Sequence, residues 1–242
     1  MKKILLEIAV FNFHSAVLAA NAGADRLELC ENIHEGGTTA SYGTLQLVKD
    51  KISIPVFPII RPRGGDFLYS NEEYEVMKKD IQLCKKLNYD GVVIGLLKAD
   101  GTVDINRTKQ LVDIAYPLEV TFHRAFDRTT NALQALEDII NCGCTRILTS
   151  GQLPNAFDGK ELIKELIKQA SERIIIMPGS GVRSNNVKEL ATCTGAVELH
   201  SSAKKFIASN MTFTKTSMEE NLQTVSVDEE EIKNMIQEIK YV

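Results

Sequence analysis

No apolar run in the 242 residues approaches the roughly 20 needed to cross a bilayer, so no membrane-spanning segment is expected. The N-terminal MKKILLEIAV meets Glu7 before the apolar core of an export signal could form. Positive charge is not in excess either: 28 Lys+Arg stand against 32 Asp+Glu, a formal net charge of −4. That balance argues against a general electrostatic partnership with nucleic acid or an anionic membrane, while leaving room for a local basic site. The five cysteines, Cys30, Cys84, Cys142, Cys144 and Cys193, are odd in number and scattered. They suit a reducing, cytoplasmic compartment better than a disulfide framework. There is no repeat beyond a strand-and-helix unit, no low-complexity tract and no dividing linker, so a single domain over residues 1–242 is expected.

What the chain does have is rhythm. Its 44% hydrophobic and 25% charged content is that of an ordinary globular protein able to bury a full core. ILLEIAV from Ile4 reads as a strand, Asn12 caps a helix that Gly23 ends, and RLELC follows as a second strand. Further strands are read in IPVFPII, GVVIGLL, LEVTFHRAF, TRILTSG, RIIIMPGSGV and AVELHSS, each followed by a helical stretch. One helix is announced by the capping box Ser70-Asn71-Glu72-Glu73 and carries Tyr74, Met77, Ile81, Cys84 and Leu87 on one face. Alternation without hairpin signals means parallel pairing, and eight units point to a (β/α)8 TIM barrel, with an open doubly wound sheet as the alternative. Residues 204–225 read as an irregular connection. A final helix over about 227–241 is read from a capping box at Ser226 and Glu229 and from the apolar face of Ile232, Met235, Ile236 and Ile239.

Ligands of such barrels sit at the C-terminal ends of the strands, and side chains alternate in and out along each strand. Inward parity gathers Glu7, Glu28, Cys30, Arg61, Thr121, His123, Glu198 and His200 toward one axis. Carboxylates there must be paired, protonated or wet. Ion pairs with Arg61, Arg63 or Arg124 would lock the barrel; the same groups would otherwise surround a small anionic ligand. The arginine fork matches carboxylate or phosphate. Gly179 and Gly181, in PGSGV, form either a tight turn or a place where backbone N–H groups approach an anion. His200 and His123 are either hydrogen-bonded core residues or proton carriers near neutral pH. In the second case Glu7, Glu28 and His123 are the catalytic candidates, and Arg61, Arg63, Arg124, Gly179, Gly181 and His200 hold the ligand. No lysine stands out at a strand end, so an imine mechanism is not expected, and no organic cofactor is indicated.

With RLELC, EGGTTASYG, RPRGGDFLYS, TFHRAFD, LTSGQ and IMPGSGV in order, the chain resembles the CutC family, known as copper homeostasis proteins. The resemblance implies a cytoplasmic TIM barrel, often a homodimer, with a copper-tolerance role and Cu(I) on Cys30. The family's second thiol after that strand has no counterpart, because residues 33–56 contain no cysteine. Two readings follow: a Cu(I)-binding protein, or a lyase- or isomerase-type enzyme on a phosphorylated or carboxylated metabolite.

Overall fold

The structure is a computed structural model that describes residues 3–240. Strand β1 (Leu5–Val10) leads into helix α1 (Phe13–Asn21), whose first turn is closed by Asn12 accepting the Ser15 N–H at 2.8 Å. The alternation continues through β2 (Arg26–Leu29), α2 (Tyr42–Lys51), β3 (Val56–Pro58), α3 (Asn71–Lys86), β4 (Gly91–Ile94) and α4 (Ile105–Ala115). The second half repeats it with β5 (Glu119–Phe122), α5 (Ala132–Cys142), β6 (Arg146–Thr149), α6 (Lys160–Ala170), β7 (Ile175–Pro178), α7 (Val187–Thr194) and β8 (Glu198–Ser201). The capping box read at Ser70 and Glu73 is present at the start of α3. The face of that helix carrying Tyr74, Met77, Ile81 and Cys84 is buried.

All eight strands pair in parallel in the order of a (β/α)8 barrel. One four-stranded run is β3-β2-β1-β8, the other β4-β5-β6-β7. They join where Ile59, just after β3, bridges Val93, and Ile60 donates to the Val93 carbonyl at 2.8 Å. On the other side β7 and β8 lie next to each other without a hydrogen-bonded ladder. Outward-facing Leu6, Ile8, Leu27, Val92, Phe122 and Ile147 pack under the helices in a continuous apolar layer. The inward rows are free to be polar.

The stretch read as an irregular connection begins and ends in strands. β9 (Lys204–Ile207) and β10 (Thr224–Val227) form an antiparallel ribbon with Lys204 opposite Val227. Helix α8 (Glu229–Ile239) then packs Ile232 and Met235 inward. Its cap is not Ser226. Pairing with β9 keeps the chain extended through Val227, the Asp228 N–H donates to the Ala203 carbonyl at 2.7 Å, and Asp228 accepts the Glu230 N–H. Ser226 is thereby left inside β10, buried and with its hydroxyl unpartnered.

Candidate functional site

The inward residues divide into two levels. At the lower level, nearer the N-terminal ends of the strands, the carboxylates are paired with cations. Arg26, at the start of β2, donates through Nε to Glu7 and through Nη2 to Glu198 at 2.5 Å. Arg146, at the start of β6, reaches Glu198 at 2.9 Å and Glu119 at 2.9 Å. Both guanidiniums lie over the Phe57 ring, 5.0 and 5.3 Å from its centroid. Burial would raise the Glu7 carboxyl, but Arg26 and His200 outweigh it and hold the group down to about 2.

His200 connects this network to the level above. Its Nδ1 lies 2.8 Å from Glu7 Oε1, and its Nε2 lies 3.7 Å from Glu28 Oε2. Burial works against the imidazolium, yet the Glu7 hydrogen bond and the Glu28 charge raise His200 above its usual value. Glu28 is pushed up to about 7, first by burial and, against the pull of His200, also by the Glu7 charge. A carboxyl poised there beside an imidazole can give or take a proton at neutral pH. The Cys30 thiol, buried beside Glu28, is pushed well above its ordinary range by burial and by that carboxylate.

At the end of the neighbouring strand β3, Arg61 is 4% exposed and no carboxylate lies within 4.0 Å of it among the described residues. Its fork donates instead to three backbone carbonyls, those of Glu35, Gly37 and Gly65, and stacks 5.2 Å from the Phe67 centroid, while Nε has no partner. The same Phe67 ring lies 5.0 Å from His123, which accepts the Ala125 N–H on Nδ1 at 3.1 Å, so its ring proton belongs on Nε2, which is buried and unpartnered. Burial, reinforced by the Arg61 charge, lowers His123 to about 3 and keeps it neutral. Glycines make room for both histidines: a Cβ on Gly95 would meet the His123 ring at 2.3 Å, and one on Gly179 would meet Leu148 at 2.4 Å and His200 at 3.1 Å.

These groups open onto one cavity of about 650 Å³ at the C-terminal ends of the strands. It brings together Glu28, Cys30, Arg61, His123, Arg124, Gly181 and His200 from the sequence reading. Three expected residues are not in its lining. Glu7 sits below, held by Arg26 and His200. Arg63 turns outward to Glu73, Asp66 and the Leu68 carbonyl, fixing its own loop. Gly179 has already donated its N–H to the Thr149 carbonyl at 2.9 Å, so that N–H is not free for an anion. Arg124 lines the mouth, tied to Asp127 at 2.8 Å and to Ser150.

The CutC family profile matches residues 4–205. The chain belongs to the CutC family. It is 49% identical over 209 residues to a family protein CutC of Chromobacterium violaceum, covering 86% of this chain and 85% of that one. It is also 49% identical over 214 residues to the human copper homeostasis protein cutC homolog, covering 88% and 78% respectively. Among solved structures, a copper homeostasis protein CutC from Streptococcus agalactiae superposes with a TM-score of 0.79 at 32% identity, over 82% of this chain and 98% of that chain.

The CutC name directs attention to Cys30, and the residues around it do not fit Cu(I). Soft cuprous ion is held by two or three sulfur donors presented as thiolates. Cys30 is the one cysteine lining the cavity, and its surroundings favour the protonated thiol. Among the described residues no group of three or more His, Cys, Asp and Glu is arranged to hold a metal. Cys142 and Cys144 are both buried, away from the cavity.

Sequence reading missed Arg26 and Arg146, the actual partners of the lower carboxylates. Parity carries a signal for the first, since Arg26, Glu28 and Cys30 alternate on one strand. The second sits opposite Thr121 in the β5–β6 register, which only the pairing discloses. Arg128, Arg183 and Lys204 also line the cavity. Arg128 and Arg183 lie in the turns after β5 and β7, and Lys204 opens the exposed strand β9, where periodicity says nothing about direction.

Proposed function

We propose that the cavity binds a small phosphorylated or carboxylated metabolite and moves a proton on it, as a lyase or isomerase does. The observation that carries this reading is the pairing of a buried, carboxylate-free Arg61 with the unpartnered Nε2–H of a neutral His123. A charged donor beside a neutral one matches an oxygen that gains negative charge in the transition state. With a carbonyl or carboxylate oxygen on Arg61 and His123, Glu28 takes the proton from the adjacent carbon. The C–H electron pair enters the carbonyl, and the enolate oxygen is met by those two donors. With a hydroxyl on the deprotonated carbon, passage of that hydroxyl proton to the enolate oxygen and return of the carbon-bound proton to the former carbonyl carbon give isomerisation; with a leaving group on the carbon β to the carbonyl, collapse of the enolate forms the α–β double bond, expels that group and gives elimination. Ionised Glu7, fixed by Arg26, orients His200, through which the proton on Glu28 is exchanged.

The test has two stages. A panel of small carboxylates and phosphate esters is screened for thermal stabilisation, and the binders are then incubated in D2O and followed by proton NMR. Binding lost in Arg61→Gln and deuterium incorporation lost in Glu28→Gln are expected. A wild-type protein that binds no member of the panel would end the proposal. The relatives' name favours a second reading, a copper-homeostasis role, for which the cysteine lining the cavity, Cys30, is the candidate Cu(I) ligand. Stoichiometric cuprous binding abolished by Cys30→Ala would support that reading. Five free thiols suit the reducing cytoplasm, and we assign the protein there as a homodimer, which light scattering checks.

A further inference from the structure

The cavity spans the barrel, and its two sides are chemically different. Arg61 and His123 follow β3 and β5. On the facing side, Ser180 and Gly181 follow β7, with Arg183 just beyond, and Lys204 follows β8; all four line the same space. Neither Arg183 nor Lys204 has a carboxylate within 4.0 Å among the described residues, in contrast to Arg124 with its Asp127. The Arg183 guanidinium is instead tethered to the ribbon, donating through Nη2 to the Lys204 carbonyl at 3.3 Å. Arg183 is half-buried and Lys204 exposed, so two cations on this rim face the cavity with no carboxylate competing for them.

The backbone there is built as a concave turn. Ser180 has φ of +85° and Gly181 of +71°, and a Cβ on Gly181 would meet Asn155 Cβ at 2.9 Å. The carbonyls of Ser180, Gly181 and Val182 are all engaged, by Ala156 N–H, Asn186 Nδ2 and Ser201 Oγ. The N–H groups of Ser180, Gly181 and Val182 have no protein acceptor among the described residues. Carbonyls turned away and N–H groups left over make an anion-binding concavity.

We propose that this β7–β8 rim is a phosphate subsite. The ligand is then a phosphomonoester of a short oxygenated carbon chain, with its phosphate at Gly181, Arg183 and Lys204 and its reacting oxygen at Arg61 and His123. The assignment rests on the acid–base reading above and sharpens it by dividing the two anionic ends of one molecule. A phosphate dianion has enough acceptor oxygens for two cations and several N–H groups at once, whereas a carboxylate is satisfied by one arginine fork. The space of about 650 Å³ also exceeds the needs of a lone small carboxylate.

Two probes separate the ends: inorganic phosphate and glycolate, each titrated by calorimetry. The double variant Arg183→Gln/Lys204→Gln is expected to weaken phosphate at least tenfold and to leave glycolate within twofold. Arg61→Gln is expected to show the reverse pattern. Lys204 is exposed and the half-buried Arg183 makes one long hydrogen bond to a carbonyl, so the double variant should melt close to wild type, and its melting curve is the control for folding. Phosphate affinity within twofold of wild type in the double variant would overturn the subsite. So would equal weakening of both probes, which would mean a diffuse field. Glycolate binding to wild type without phosphate binding removes the subsite and keeps the acid–base pocket. Binding of neither probe removes both.

Discussion

The lower and upper levels of the barrel interior hold similar residue types and treat them in opposite ways. Below, Glu7, Glu198, Arg26 and Arg146 form a closed network in which each charge meets an opposite one within hydrogen-bond distance. Above, Arg61 is buried without a carboxylate, His123 keeps a free N–H, and Arg183 and Lys204 have no counter-ion among the described residues. Burying a cation without an opposite charge is unfavourable, and this asymmetry between an end where every charge is answered and one where Arg61 meets only neutral carbonyls is what the proposed ligand reading rests on. His200 and Glu28, between the two levels, are where the fixed charge below sets the proton equilibrium of the cavity above.

The largest effect is expected where the lower network is cut. Arg26→Met leaves Glu7 and Glu198 short of a partner and should cost about 3–5 kcal/mol of stability by denaturant unfolding; a loss below about 1 kcal/mol would mean that the two levels do not differ. Next in size, Arg61→Gln should weaken the best carboxylate ligand at least tenfold, about 1.4 kcal/mol, while destabilising the fold less than Arg26→Met does. Equal affinity in variant and wild type would make Arg61 a loop anchor through its three carbonyl bonds. A third test concerns pH. Glu28, at about 7 in the fold against an ordinary value of 4.5, keeps its proton in the folded state where the unfolded chain releases it. Stability therefore falls as pH rises from about 4.5 to about 7 and levels off above.

Glu7, held at about 2, has the opposite sign: its contribution is complete above 4.5 and is lost as pH drops toward 2. The raised His200 contributes fully below its ordinary 6.5 and loses that contribution as pH climbs past it. Urea melts of Glu28→Gln between pH 4.5 and 6.5 should thus lack the decline expected of wild type, and a decline of unchanged slope would refute the assignment. The smallest effect is expected from Arg63→Ala, whose partners Asp66 and Glu73 belong to its own loop and the start of α3. Exposed pairs of this kind contribute under about 1 kcal/mol, and ligand affinity should not change.

Much of this was legible in the sequence. Eight strand-and-helix units, the caps at Asn12 and Ser70, and the inward set Glu28, Cys30, Arg61, His123 and His200 follow from periodicity and parity, which are local properties. The closed network was not legible, because Arg26 and Glu198 are 172 residues apart and meet only through the β1–β2 and β1–β8 registers. Nor could sequence distinguish Arg61 from Arg63: they stand two residues apart, and only the loop path turns one inward and the other to Glu73. Inward parity makes Glu7 a catalytic candidate, and position after a strand end makes Arg63 and Gly179 ligand contacts; the structure gives each a protein partner. The ribbon of β9 and β10 lacked a pattern because its β9 side chains are exposed throughout, so no buried face marks it.

The central claim is that the cavity is an anion site and not a cuprous one. Crystals soaked in parallel with inorganic phosphate plus glycolate, and with Cu(I) under anaerobic conditions, test it in one pair of maps. The account predicts anion density on Arg61 and His123 Nε2, with no anomalous copper peak on Cys30. A copper peak on Cys30 Sγ, with no anion bound anywhere in the cavity, would contradict it.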